Sequence, residues 1–197
     1  MKKILFLVVA AVLSTPILFG RNETPKMPID SITKKITYSD IVSVDQSTSK
    51  LELFSRAREW FAKTYNSSTS VIQMEDKESG KLIGKAVMQV YRNGILGDRE
   101  HGRVNYTISI YVKDGRYKYI VADFNHTGQY LVGGIRVPDY GLCERMINHE
   151  YSAWDPIAIK SILDSILAQV NANSEALISD LKSAMATKAT VPKNENW

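Results

Sequence analysis

Five side chains in this sequence have the chemistry to serve a reaction: His101, His126, His149, Asp123 and Cys143. His101 stands among glycines in the stretch from Asn93-Gly94 to Gly102, His126 follows a β-rich run, and His149 adjoins Glu150. A protein-held metal needs His or Cys ligands at short, regular spacing, and neither His-x-x-x-His nor Cys-x-x-Cys occurs. Asp123 with His126 would supply two ligands at most, so no metal site is expected. No Gly-x-Ser-x-Gly elbow, phosphate-binding loop or dinucleotide fingerprint is present, and no cofactor is expected. Glu75, Asp76 and Glu78 cluster, but within turn chemistry, where carboxylates mostly solvate the chain. Cys143 is the only cysteine; it has no partner for an internal disulfide and reads as a partly buried structural thiol. These residues favour a protein that is not an enzyme. A hydrolase acting on envelope material, with its site between His126 and His149, is the alternative.

A different chemistry is carried by Tyr111, Lys113, Arg116 and Lys118. Val104, Tyr106, Ile108, Ile110 and Val112 alternate with polar residues, the period-two pattern of a strand with one buried face. Asp114-Gly115 then separates this run from a second one, which is a strong hairpin signal and predicts a type I′ turn with positive φ at both residues. The implied register sets Lys113 opposite Arg116, Val112 opposite Tyr117, Ile110 opposite Tyr119 and Ile108 opposite Val121. Apolar partners then share one face, and Tyr111, Lys113, Arg116 and Lys118 share the other. The same register carries Asp123 to the inner face opposite Tyr106, as a buried carboxylate bonded to a phenol. An aromatic and basic patch of this kind suits an anionic or glycan partner; it also serves simply to keep an exposed sheet soluble.

The elements that must position these residues are legible on either side. Ser49-Lys50-Leu51-Glu52 is a capping box, and Leu53, Phe54, Ala57, Trp60, Phe61 and Tyr65 follow at helical spacing, with Lys50, Arg56, Arg58 and Lys63 expected in water. Asn66-Ser67-Ser68 should end that helix. Ile36 to Val44 reads as a first strand, and Val71 to Glu75 and Leu82 to Tyr91 as a hairpin about Asp76-Lys77-Glu78-Ser79-Gly80. Asn93 to Gly102 is a loop, and Asn125 to Ala153 yields only a short helix near Leu142 to Asn148. Asp155-Pro156 opens a long helix that carries Ile159, Leu163, Ile166, Val170, Leu177 and Leu181 to about Lys188, with a kink expected at Asn171 to Ser174. Its stripe fits the sheet, or else a helix seam for a partner or second copy.

Several of these positions, Ser49-Lys50 before Leu53, Arg56-Ala57, Trp60-Phe61, Val71-Ile72, Asp76, Gly80, Ile83-Gly84-Lys85 and Lys113-Asp114-Gly115-Arg116-Tyr117, resemble the DUF4468 family of secreted Bacteroidetes proteins of unknown function. The resemblance spans roughly residues 36 to 125, with a weaker echo in the helical tail and Trp197. It implies an α+β, TBP-like fold: strand, helix, then four antiparallel strands, with a long C-terminal helix added. It implies no activity.

Met1-Lys2-Lys3 and the apolar run Ile4 to Phe19 read as a signal peptide over residues 1–20, because Pro16 interrupts the run and it falls short of the ~20 residues a spanning helix needs. Residues 21–34 read as a leader or tether, 35–190 as one domain and 191–197 as a tail. Asp30-Ser31-Ile32 resembles a short O-glycosylation signal of Bacteroidetes envelope proteins. The 25 basic residues, less Lys2 and Lys3, leave 23 against 21 acidic ones, too even a balance for a nucleic-acid protein. The expectation is an exported protein of the periplasm or cell envelope, a noncatalytic binding or assembly module with an envelope protein or glycan as partner. Self-assembly through the C-terminal helix is a further alternative.

Overall fold

The computed structural model describes residues 26–65, 71–92, 98–131, 133–134, 136–148 and 156–187. Six strands, β1 (Tyr38–Ser43), β2 (Ile72–Asp76), β3 (Lys81–Arg92), β4 (Arg99–Lys113), β5 (Arg116–Thr127) and β6 (Gly141–Leu142), are accompanied by helices α1 (Lys50–Thr64), α2 (Cys143–Ile147) and α3 (Pro156–Ala186). The sheet is antiparallel in the order β1-β5-β4-β3-β2, with the short β6 added to the end of β5. The expected strand, helix and four further strands are present. β6, too short for any periodicity, is the addition.

α1 starts where the sequence caps it: the Ser49 hydroxyl accepts the Glu52 amide at 3.2 Å. Its apolar stripe, Leu53, Phe54, Ala57, Trp60 and Phe61, is buried against the inner face of the sheet, beside Leu82, Ile108, Ile110, Val112 and Val121. At one crossing the helix comes so near the sheet that a Cβ on Gly84 would lie 2.6 Å from a Phe61 ring carbon. A larger residue there must push the layers apart.

α3 packs on the same face, against α1 and β3, and runs through Asn171 to Ser174 as unbroken helix where a kink was expected. Ser174 is fully buried and keeps its place in the stripe of Leu163, Ile166, Leu167, Val170, Leu181 and Met185, which completes the core. Most of the stripe is thus buried against α1 and the sheet, with Ile159 and Leu177 half-buried. Two polar contacts fasten the layer: Trp60 Nε1 donates to Asp180 at 2.7 Å, and Arg56 Nη1 donates to the Met185 carbonyl at 2.7 Å. Arg56 is thus buried and not in water as expected, with its Nε also 3.0 Å from the Glu52 carboxylate. No basic residue stands in the last turn of α3, so the Arg56 guanidinium supplies from α1 the cation that a helix C-terminus favours.

Before β1 the chain folds back on itself: Ile29 bridges Ile36, Met27 and Ile36 are buried, and the Ile36 amide donates to Glu144 of α2 at 2.8 Å. Among the described residues no helix is long and apolar enough to cross a membrane.

Candidate functional site

The β4–β5 register follows the hydrophobic pattern from Lys113–Arg116 to Thr107–Ala122, as expected. The turn itself differs. Only Lys34 (φ 59°) and Asp123 (φ 61°) are left-handed among the described non-glycine residues, so Asp114 keeps negative φ and Gly115 alone (φ 67°) is positive. This is not a type I′ turn. Its geometry is tied to a second task of Asp114, whose carboxylate accepts the Lys50 amide at 2.6 Å in the first turn of α1. The Gly115 amide donates to Thr48 at 2.9 Å, closing the hairpin onto the helix entry.

That docking leaves the outer face of the sheet open, and among the described residues no helix covers it. Pairing between neighbouring strands aligns Ile41, Lys118, Tyr111, Lys81 and Asp76 in one row across five strands. Lys113 and Arg116, paired with each other, stand beside Tyr111 and Lys118 toward the turn. Tyr111, Lys113, Arg116 and Lys118 line a single hollow of about 260 Å³ together with Ile41 and Tyr117. All four residues expected to form a patch are therefore brought together. Ile41 is 62% exposed, an apolar rim for this hollow.

Lys81 joins the site from β3, its Nζ 5.8 Å from the centre of the Tyr111 ring. A hairpin turn fixes pairing only for the two strands it joins, so neither the β3–β4 register that brings in Lys81 nor the β1–β5 register that brings in Ile41 was legible in the sequence. Among the described residues no carboxylate pairs with Lys81, Lys113, Arg116 or Lys118. Two acids at the flanking turns are engaged with backbone: Asp114 holds the Lys50 amide, and Asp76 accepts the Ser79 amide at 3.0 Å, which holds its carboxyl below the usual range. Larger hollows occur between α1 and β2, about 530 Å³, and beside α3, about 550 Å³. Ion pairs lie in both: Arg58 to Glu75 at 3.0 Å in the first, and Lys182, which lines the second, to Asp40 at 3.2 Å.

The histidines lie elsewhere. His101 was expected in a loop; β4 begins at Arg99, so His101 and Gly102 are strand residues, and His101 is buried. His126 is buried beside it on β5, with Nε2 2.8 Å from the His101 carbonyl and Nδ1 accepting the Tyr140 amide at 3.3 Å. Both ring nitrogens are thereby committed to backbone, the first as a donor and the second as an acceptor. Burial lowers the pKa of each ring, that of His101 to about 4. Tyr140 packs on both, its ring centre 4.9 Å from that of His126 and 6.0 Å from that of His101. His149 lies outside the described residues.

Asp123 does not meet Tyr106. The ladder shifts by one residue between Asn105 and Thr107, Asp123 takes up the left-handed φ of the bulge, and its carboxylate turns outward to Lys35 at 2.6 Å. Tyr106 bonds instead to the Tyr65 hydroxyl at 3.0 Å. Asp123 is thus held at the surface by Lys35 while His126 is buried in the core, and no group of three or more His, Cys, Asp or Glu placed to hold a metal occurs among the described residues. Cys143, expected partly buried, is fully buried, and burial pushes its thiol up to about 12.

Residues 38–127, from β1 to the end of β5, match the family model of the domain of unknown function DUF4468 with TBP-like fold. Over this stretch the chain is similar to DUF4468 domains. Two solved structures share the architecture beyond it. A TBP-like protein from Parabacteroides distasonis is 21% identical, with a TM-score of 0.56 over 79% of this chain and 95% of that one. A DUF4468 family protein from Bacteroides ovatus is 14% identical, with a TM-score of 0.57 over 83% of this chain and 94% of that one. At such identities the likeness is one of fold. No curated protein matches the chain. The DUF4468 match ends before β6, α2 and α3, so the helix that completes the core lies outside it.

Proposed function

We propose that this is an exported, noncatalytic binding module of the cell envelope, whose DUF4468 domain presents its open sheet face to a partner. The observation that carries the reading is the group of cations about Tyr111, held on the sheet with no ion pair to any of them among the described residues. A merely solubilising surface mixes charges of both signs. Here the two acids of the flanking turns accept backbone amides and make no ion pair with these cations.

Support for a noncatalytic role comes from the groups that would do chemistry. The two nitrogens of His126 are engaged inside the core, the Cys143 thiol is held protonated, and the open face carries Lys, Arg and Tyr with no histidine or serine nucleophile in the hollow. Support for export is the charged start and apolar run of residues 1–20.

Two measurements test the reading. Immobilised protein should retain envelope material, and Tyr111→Ala should retain much less; equal background recovery by both proteins refutes the role of this face. Mass spectrometry of the protein recovered from the envelope should find the first ~20 residues removed, as for a cleaved signal peptide. A full-length product in the cytoplasm overturns the export.

A further inference from the structure

We infer that the ligand of the open sheet face is an acidic polysaccharide, a chain of sugars bearing carboxylate groups, gripped between Lys118, Arg116 and Lys81 with a sugar ring laid on Tyr111. The inference rests on the binding role proposed above and gives it a ligand class.

The row geometry supplies the argument. Lys118, Tyr111 and Lys81 occupy adjacent strands, so the backbone positions of the two lysines are about 10 Å apart with the tyrosine midway. Arg116 stands two residues from Lys118 on β5, about 7 Å along the strand on the same face. An aromatic ring thus has Lys118 on one side and Lys81 on the other, Lys81 reaching over one face of the ring, and neither lysine makes an ion pair among the described residues, Asp76 beyond Lys81 being held by the Ser79 amide. A ligand that satisfies this arrangement has an apolar face for the ring and anionic groups on either side of it. A pyranose with its C–H face on Tyr111 and carboxylates along the chain has both. Ile41 extends the apolar floor at one end of the row.

The competing polyanions fit less well. Binding of single-stranded nucleic acid relies on several aromatic platforms for successive bases, and this row has one. Binding to an anionic membrane needs an apolar wedge to enter the headgroup layer, and Ile41 is the only aliphatic side chain in the row. Free inorganic anions would leave Tyr111 without a role.

The test is calorimetric titration of the purified chain with polygalacturonate fragments, with the methyl ester of the same fragments, with phosphatidylglycerol vesicles and with a single-stranded DNA oligonucleotide. The acid form should bind and the ester should not, and added salt should weaken binding. Lys118→Ala and Lys81→Ala should each weaken it about two- to tenfold, the range for losing one ordinary solvent-exposed hydrogen bond. Tyr111→Leu should weaken it comparably while the unfolding midpoint of each variant stays that of the parent. No heat with the acid form, equal binding of the ester, indifference to the substitutions, or tighter binding of vesicles or oligonucleotide each overturns the inference. Loss of saccharide binding alongside Tyr111-dependent retention of envelope material would discard this ligand and leave the binding role; failure of both discards both.

Discussion

His101 is buried with its Nε2 unpartnered, and its proton is disfavoured first by burial and then by the neighbouring His126 and Arg92. Burial is the largest cause of its lowered pKa, to about 4 from an ordinary 6.5, and burial likewise lowers His126. Between pH 4 and 6.5 the unfolded chain therefore binds more protons at this position than the folded one, so stability rises with pH across that window and falls on acidification. The loss from pH 7 to pH 4.5 should be on the order of 2 kcal/mol for His101. Urea unfolding at the two pH values measures it, and His101→Phe should flatten the slope; an unchanged slope would mean that the ring is solvated. The environment that creates this effect was not legible in the sequence, because glycines flanking a histidine look the same in a loop and in a strand. Arg56 misled for a related reason. Its charge outweighed its place on the apolar stripe, and the Met185 carbonyl that satisfies it lies 129 residues away in sequence. Asp123 marks the limit of register reasoning: a turn propagates pairing until a bulge intervenes, and a single left-handed aspartate has no pattern to announce it.

Within elements the sequence spoke most clearly where several signals agreed. The cap of α1, the alternation in β4 and β5 and the Asp-Gly turn all pointed to one arrangement, and the outer-face residues fell where that arrangement sets them. What it could not supply was the joint between elements. Asp114 serves the hairpin as a turn residue and α1 as an acceptor for the Lys50 amide, so it fixes the helix relative to the strands that carry Tyr111. Asp114→Ala should cost about 1 kcal/mol, the usual loss of a side chain that satisfies a helix N-terminal amide, with Asp114→Asn costing less. Chemical denaturation reads both. A cost for Ala no greater than that of an ordinary surface substitution would show that the amide is equally well served by water.

At the scale of the molecule, the family match and the cooperative unit are different in extent. Residues 38–127 supply five strands and α1, but the inner face of that assembly is closed by α3, which lies outside the match. Leu163, Ile166, Leu167, Val170, Leu181 and Met185 are all at most 1% exposed, and they cover α1 as well as the sheet. Burial of an aliphatic side chain contributes about 1.5–3 kcal/mol, so these six together account for roughly 9–18 kcal/mol before any ordering cost. Whole domains are stable by only about 5–15 kcal/mol. Truncation before Pro156 should therefore give a chain with no cooperative unfolding transition and strong binding of a hydrophobic dye, even though the whole DUF4468 stretch is retained. Circular dichroism during heating and dye fluorescence measure this directly. Cooperative melting of the truncated chain near the parent midpoint would show instead that the sheet and α1 are self-sufficient and that α3 is an accessory. The expected result also bears on the open face: with α1 and α3 on one side of a single sheet, the inner side carries the stability, and substitutions in the outer row about Tyr111 should leave the unfolding midpoint unchanged.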